Sequence, residues 1–306
     1  MTTATLGPVS EGCRRRLVDH YGAQACPWLD SVPDLLAQAA CRWNVCISGY
    51  HDAGHASVLA VATASGGVCV MLKAWFDPGR YRSETSALNV WRGGPVARLL
   101  HTADDLRIAA LALVADRPGG YPPPTGDEER VAEALRQLHS LGERDADVGV
   151  SSLGEYLAGE VLPRIRQRDR QFGSTLPDGC RTAGRQAAAT LVPSSRRDVL
   201  LHADLYRENI AFTQTGRPVF LDPLPRIGDP AFDWAFWTVY YDLARDPVYR
   251  LRLGSAHAGI AVPELLPWCL TLGYDGLLYY YETADPRAGR MAEVITSLTD
   301  AEAALW

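Results

Sequence analysis

Residues 117–124 read Arg-Pro-Gly-Gly-Tyr-Pro-Pro-Pro, a run that neither a helix interior nor a central strand accommodates. It separates two stretches of different periodicity. Before it, Val58-Leu-Ala-Val-Ala-Thr and Val68-Cys-Val-Met-Leu-Lys-Ala-Trp read as strands joined by the turn Ser65-Gly66-Gly67, and Ile108 to Val114 is a further apolar run. Ahead of these strands, Glu11 to Trp43 predicts two short helices broken near Pro27 and Pro33. Behind them Asp77-Pro78-Gly79 ends the strand, and a helix is expected from about Arg80 to Arg92. After the Pro/Gly run helical patterns dominate, at about 127–141, 151–170, 178–191, 230–244, 262–282 and 287–304, with one compact β element over 198–222. The expected organisation is α+β and two-lobed. Residues 1–115 form a β-rich N-lobe with a helical prefix, residues 116–306 a larger helical C-lobe, and a ligand is expected in the cleft between them.

Composition narrows the partners. The 306 residues are 47% apolar and 22% charged, ordinary for a globular chain, and a formal net charge of −6 offers no field for nucleic acid or an anionic membrane. The N-terminal residues lack the basic-then-apolar order of a secretory signal, and no apolar run approaches the length of a membrane span. A cytoplasmic, soluble protein is expected, with neither nucleic acid nor membrane as partner. Seven cysteines, at 13, 26, 41, 46, 69, 180 and 269, include no C-x-x-C pair, so free and mostly buried thiols are expected rather than a disulfide framework or a zinc ribbon.

Among 30 basic residues there are 29 arginines and one lysine, Lys73. A compact ammonium and a planar guanidinium are not interchangeable at a tight site, so a lysine that survives among arginines marks a position of restricted shape. Lys73 closes the apolar strand Val68-Cys-Val-Met-Leu, where a buried charge requires a partner. In the next helix Tyr81, Glu84, Ala87, Leu88 and Trp91 recur at helical spacing, which puts Glu84 on the inward stripe. A Lys73–Glu84 ion pair is expected.

The segment Val199-Leu-Leu-His-Ala-Asp-Leu-Tyr-Arg-Glu-Asn-Ile-Ala-Phe carries the strongest chemical signal. A buried strand delivers His202 and Asp204; a second strand begins at Asn209, turns at Thr215-Gly216 and returns as Pro218-Val-Phe-Leu-Asp222. With a two-residue hairpin loop, Gln214 opposes Arg217, and counting back along both strands sets Asn209 opposite Asp222. Two hard oxygen ligands at the open end of a hairpin suit magnesium, which completes its octahedron with phosphate and water. Asp204, five residues before Asn209, is then placed as the base for an incoming hydroxyl.

Other features have structural explanations. Asp229 followed by Pro230 reads as a helix cap, and His202 as a loop anchor. Ser48-Gly-Tyr-His-Asp-Ala-Gly-His-Ala-Ser is a candidate phosphate-covering turn, although it is not G-x-G-x-x-G. His51 and His55 sit on that Gly-containing loop and are not read as a metal site. Arg164, Arg166, Arg168 and Arg170 read as a solvated face.

Together these residues resemble the aminoglycoside phosphotransferase-like kinases, most closely the streptomycin 6-kinase and hydroxyurea phosphotransferase branch; kinases for capreomycin and viomycin lie in the same wider group. The resemblance spans nearly the whole chain: the helical prefix, Lys73, Glu84, the stretch Trp91-Arg-Gly-Gly-Pro-Val-Ala-Arg-Leu-Leu, Leu138-His139, the catalytic segment and Asp222-Pro223 stand in the family order. The family motif H-G-D-L-x-x-x-x-N maps onto His202-Ala203-Asp204-Leu205 through Asn209, and G-D-P-x-x-D onto Gly228-Asp229-Pro230 and Asp233. It implies a two-lobed protein-kinase-like fold, Asp204 as base, and Asn209 and Asp222 as Mg2+ ligands. It further implies nucleotide contacts at Lys73 and Glu84, and an adenine-reading hinge near Val114-Ala115-Asp116. Ala203 in place of the usual Gly requires the loop to tolerate a Cβ.

The reading is an ATP-dependent O-phosphotransferase acting on a hydroxyl of a cationic antibiotic, an aminoglycoside or a cyclic peptide, and conferring resistance. GTP is an open alternative to ATP, and a monomer or a homodimer is expected. Asp233, Trp234, Trp237, Tyr241 and Asp242 on one helix, with Tyr274, Asp275, Tyr279 and Glu282 on another, interleave carboxylates with aromatics as a polycationic acceptor would require. Asp233, Trp237, Asp275 and Glu282 are the acceptor candidates. Two rival readings exist: a metabolic kinase for a sugar or amino alcohol, separated by substrate screening, and a non-enzymatic nucleotide-binding pseudokinase, excluded by ATP turnover.

Overall fold

The computed structural model describes residues 6–303 apart from 53, 55, 117, 143–148 and 192–197. The first elements are helices α1 (Glu11–Tyr21) and α2 (Cys26–Trp43), strands β1 (Val45–His51), β2 (Ser57–Ala64) and β3 (Cys69–Trp75), helix α3 (Pro78–Val90), and strands β4 (Leu99–Ala103) and β5 (Ile108–Ala112). There follow α4 (Asp127–Gly142), α5 (Leu153–Tyr156), a π turn (Leu157–Val161), α6 (Leu162–Phe172) and α7 (Asp178–Thr190). Strands β6 (Val199–Leu201), β7 (Ile210–Phe212), β8 (Pro218–Phe220) and β9 (Arg226–Gly228) precede helices α8 (Ala231–Tyr240), α9 (Pro247–Ala258), α10 (Val262–Glu282) and α11 (Ala288–Ala303).

The chain forms two units, residues 1–124 with 211–221, and residues 125–210 with 222–306. The first departs from a cut between 115 and 116 in two respects: it runs on to residue 124, and it takes in the β7–β8 hairpin. Phe220 N–H donates to the Pro95 carbonyl at 2.7 Å and Ala97 N–H to the Phe220 carbonyl at 3.0 Å, while Tyr121 N–H donates to Phe212 at 2.8 Å. The last bond explains part of the Pro/Gly run. Gly120 has φ of +67°, and a Cβ there would fall 2.7 Å from the Phe212 carbonyl oxygen, so only glycine fits this approach.

Five antiparallel strands of the first unit stand in the order β1-β2-β3-β5-β4. Strand β3 is central: Lys73 pairs with Leu59 on one side and Ala109 on the other. Helices α1 and α2 cover the sheet with Leu17, Leu29, Val32 and Leu36, packed in one core with Val58, Leu72 and Ile108. Contrary to the sequence expectation, α2 continues through Pro33. Its stripe of Trp28, Leu29, Val32, Leu36, Ala39 and Ala40 is buried, and that packing outweighs the roughly 3 kcal/mol of an internal proline. Strands β1 and β4 were not foreseen, being half-exposed edge strands without a continuous apolar run.

The second unit is helical. α10 is predominantly apolar and mostly buried, and it packs against α6, α7, α8, α9 and α11. α9 was also missed, although Asp246 and Pro247 announce it; the Asp246 carboxylate accepts from Val248 N–H at 2.8 Å. β6 pairs antiparallel with β9, returning the chain beside the strand that leads to Asp204. All seven cysteines are free, but only Cys13, Cys180 and Cys269 are buried; Cys41 and Cys46, at the end of α2 and on edge strand β1, are exposed. Among the described residues no helix is long and apolar enough to cross a membrane.

Candidate active site

In the first unit the lone lysine is paired. Lys73 Nζ lies 2.6 Å from Glu84 Oε1, with side chains 2% and 1% exposed. Burying two charges is tolerable only when both are satisfied, and a third group completes the pair: Trp75 Nε1–H donates to Glu84 Oε2 at 2.9 Å, and its ring lies 5.0 Å from the ammonium. Trp75 was overlooked in the sequence. Its signal was the i, i+2 spacing from Lys73, which puts both on one face of β3. Glu84 arrives on α3, whose start is fixed by Asp77 accepting from Arg80 N–H at 2.7 Å; the triplet expected only to end the strand therefore caps the helix. After β5 the backbone leaves the sheet sharply. Ala115 (φ +63°) and Asp116 (φ +52°) are both left-handed, and Val114 and Ala115 are half-buried. His55 lies outside the described residues.

In the second unit the loop after β6 is pinned from α8. Asp233 is fully buried; its Oδ2 accepts from His202 N–H and its Oδ1 from Ala203 N–H, each at 2.8 Å. His139, near the end of α4, puts Nε2 3.0 Å from the same Oδ2 and its ring edge-on to Trp234. Three donors thus satisfy one buried carboxylate. Ala203 has φ of +57°, a left-handed conformation that favours glycine. Next to it, half-buried Asp204 is held at both ends: its N–H donates to His202 Nδ1 at 3.3 Å, and its Oδ2 accepts from Asn209 Nδ2 at 2.9 Å. Asn209 Nδ2 also reaches the Asp204 carbonyl at 2.8 Å. His202 is thus a loop anchor, and Asp229 caps α8 by accepting from Ala231 N–H at 2.9 Å.

The hairpin register differs from expectation. Gly216 N–H donates to the Thr213 carbonyl and Thr213 N–H to the Arg217 carbonyl, both at 2.9 Å, and Gly216 is left-handed. The loop therefore has three residues, Gln214-Thr215-Gly216, with Thr213 facing Arg217. Counted back, Ile210 faces Phe220 and Asn209 falls opposite Leu221, so Asn209 and Asp222 are not cross-strand partners. Asn209 instead ends a 3-10 turn, Arg207–Asn209, while Asp222 turns out of β8 with φ of +53°. Leu224 N–H donates to the His202 carbonyl at 2.9 Å, which ties the chain just past Asp222 to the loop carrying Asp204. With its amide N–H groups spent on Asp204, Asn209 keeps its carbonyl oxygen as a hard donor. This oxygen and the Asp222 carboxylate fit magnesium's preference for a few hard oxygens. Among the described residues no group of three or more His, Cys, Asp or Glu is placed to hold a metal.

The acceptor candidates need correction. Asp233 and Trp237 are wholly buried on α8, where the carboxylate is consumed by the loop and the indole packs against Trp234 and Tyr241. Asp275 is forked by Arg164, whose Nε lies 2.9 Å and Nη2 2.5 Å from Oδ2, and Arg168 reaches its Oδ1 at 3.2 Å. Glu282 accepts from Arg168 Nε at 2.8 Å. These carboxylates are neutralised by the chain's own arginines, and Arg164 and Arg168 are not a solvated pair. Their i, i+4 spacing on α6 was the overlooked signal. Exposed instead is Tyr206, 37% accessible and two residues from Asp204, its ring held edge-on by Phe236 at 4.9 Å and Tyr240 at 5.0 Å. Burial of its hydroxyl and the Asp204 charge push the phenol well above its ordinary range.

Residues 170–250 match the Fructosamine kinase family model. Streptomycin 6-kinase of Streptomyces griseus is 27% identical over 219 residues, covering 69% of this chain and 68% of the relative. Hydroxyurea phosphotransferase of Kitasatospora aureofaciens is 26% identical over 283 residues, covering 86% and 77%. The GDP complex of aminoglycoside 2'-phosphotransferase-IIIa superposes with a TM-score of 0.59 at 12% identity, over 89% of this chain and 99% of that one. The chain is a sequence relative of the streptomycin 6-kinases and hydroxyurea phosphotransferase, built on the α+β fold of the protein-kinase-like phosphotransferases.

Proposed function

We propose that the protein is an antibiotic O-phosphotransferase that transfers the γ-phosphoryl group of ATP to a hydroxyl of its acceptor and thereby confers resistance. The observation that supports this reading most is the pinned loop of the second unit, in which Asp233 fixes Ala203 and Asn209 orients the Asp204 carboxylate. Asp204 accepts the proton of the attacking hydroxyl as the new oxygen–phosphorus bond forms and the bond to the β-phosphate oxygen breaks, releasing ADP. Asn209 and Asp222 would hold Mg2+, which supplies charge neutralisation on the phosphates. Lys73, fixed by Glu84 and Trp75, is assigned to the nucleotide phosphates, and Val114 and Ala115 to the adenine.

The relatives named for streptomycin and hydroxyurea support an antibiotic acceptor, and the cationic class remains the preferred one because the exposed Tyr206 ring offers a π-face to a cation. Since the carboxylates of α10 are occupied, acceptor contact is reassigned to the Tyr206 face, which attracts cations and stacks on rings. The test is labelled-phosphate transfer from ATP and from GTP to a panel of aminoglycosides, cyclic peptides, sugars and amino alcohols. Transfer to an antibiotic that Asp204→Asn cannot support is the expected result; transfer only to a sugar or amino alcohol makes the protein a metabolic kinase.

A further inference from the structure

The loop that carries Asp204 is fastened to α8 at both ends of that helix. In its first turn Asp233 takes the His202 and Ala203 N–H groups, and further along Phe236 and Tyr240 flank the Tyr206 ring. Tyr241, which ends the helix and is 1% exposed, meets the next residue: the Arg207 guanidinium lies over its ring, 5.6 Å from the centre. That ring is itself braced. Its hydroxyl donates to Asp127 Oδ2, Arg245 Nη1 donates to Asp127 Oδ1 at 2.7 Å, and the Trp237 ring lies 6.1 Å away. Asp127 is buried and opens α4. Burial opposes its charge, yet the bonds from Tyr241 and Arg245 hold the carboxyl below its ordinary range. Burial and the same bond to Asp127 push the Tyr241 phenol up, so it stays a neutral donor whose ring offers a face to a cation.

Arg207 passes this bracing to the 3-10 turn Arg207–Asn209. Its Nη1 donates to the Ile210 carbonyl at 2.8 Å, while Asn209 N–H donates to the Tyr206 carbonyl at 3.0 Å and Ile210 N–H to the Arg207 carbonyl. The side chain thus ties residue 207 to residue 210, with Asn209 enclosed between them and its Nδ2 2.9 Å from Asp204 Oδ2. We propose that Arg207 is a positioning residue, braced by Tyr241 and through it by Asp127, that fixes this turn so that Asn209 presents its amide to Asp204. Its part in turnover rests on the kinase reading above. Arginine suits the task, since one guanidinium can donate along the chain while its face rests on a ring.

The test joins steady-state turnover of Mg-ATP, with water alone and with each member of the acceptor panel above, to amide hydrogen exchange of the full chain without ligands. Arg207→Met, which keeps the stem, and Tyr241→Leu, which removes the ring, should each lower kcat roughly five- to tenfold, the scale of a hydrogen bond to a charged group. KM for Mg-ATP should rise less. The double variant should lose little more than the worse single one, because both changes break one contact. Arg207→Lys, which retains a cation and a donor, should recover part of the loss. Tyr241→Phe keeps the ring and should turn over faster than Tyr241→Leu, although Asp127 loses a donor and Tm falls. In Arg207→Met the amides of Asn209 and Ile210 should exchange faster at an unaltered Tm. Wild-type kcat with wild-type exchange at those two amides in Arg207→Met overturns the anchor, as do single losses that simply add in the double variant; should Tyr241→Leu fail to fold, Arg207→Met and Arg207→Lys decide alone. A wild type that transfers phosphate to neither water nor any member of the panel overturns the kinase reading instead, and faster exchange in Arg207→Met still supports the anchor, since exchange needs no turnover.

Discussion

Asp233 holds Ala203 in a left-handed conformation from thirty residues further along the chain, its Oδ1 accepting the Ala203 N–H at 2.8 Å. The bond couples α8 to the residue beside Asp204, and it commits the buried Asp233 carboxylate to the loop rather than to an acceptor. A left-handed non-glycine residue costs roughly 1–2 kcal/mol, so the loop stores strain that Asp233 offsets.

Ala203→Gly should relieve that strain. Against the extra flexibility glycine gives the unfolded chain, the net gain should be about 0.5–1 kcal/mol, a rise in Tm of roughly 2 °C. Turnover should persist, since Asp233 still pins the backbone. A lower Tm would show that the Cβ packs usefully.

His139→Ala removes one of three donors to a buried carboxylate and should cost about 1–3 kcal/mol in thermal or urea unfolding. Because the loss is transmitted to the loop of Asp204, kcat should fall while KM for ATP holds. His139→Gln, which retains a donor, should recover part of both. Equal losses in kcat and ATP affinity would mean general unfolding.

Lys73→Arg keeps the charge but must fit a wider fork into a chamber 2% exposed beside Glu84 and Trp75. Overpacking should cost about 1–3 kcal/mol, so Tm falls together with kcat/KM for ATP. Full activity would make the solitary lysine an accident of composition.

Asp222→Ala should abolish the magnesium dependence of ATP binding, measured by titration with and without chelator. Asn209→Ala should weaken that dependence and also lower kcat, because Asn209 orients the Asp204 carboxylate. Unaltered Mg-ATP affinity in Asp222→Ala would remove it from the metal site.

Acceptor binding should respond to Tyr206 rather than to the α10 carboxylates. Tyr206→Ala should raise acceptor KM roughly fivefold, the scale of one partly exposed cation–π contact, and leave ATP untouched. With Asp275 and Glu282 carrying their own arginines, acceptor KM should change little between about 50 and 500 mM salt. A steep salt dependence would return the acceptor to an acidic surface.

The chain's sequence by itself determined the strands flanking Ser65-Gly66-Gly67, the long helices, the Lys73–Glu84 pair and the segment from His202 to Asp222, because each is written in local periodicity or in a short spacing. Pro33 misled for the same reason: proline's local cost is legible, whereas the buried stripe that overrides it is a property of the packed sheet. Tertiary structure decided the rest. It moved the β7–β8 hairpin into the first unit through bonds from residues 95–97 and 121, and it let a left-handed Gly216 shift the register by one residue. It also chose partners for the charges. Asp233 found His139 across 94 residues, and Asp275 found Arg164 across 111. Which carboxylate faces a guanidinium and which a ligand depends on contacts that only folding brings within hydrogen-bond range, and no spacing along the chain encodes them.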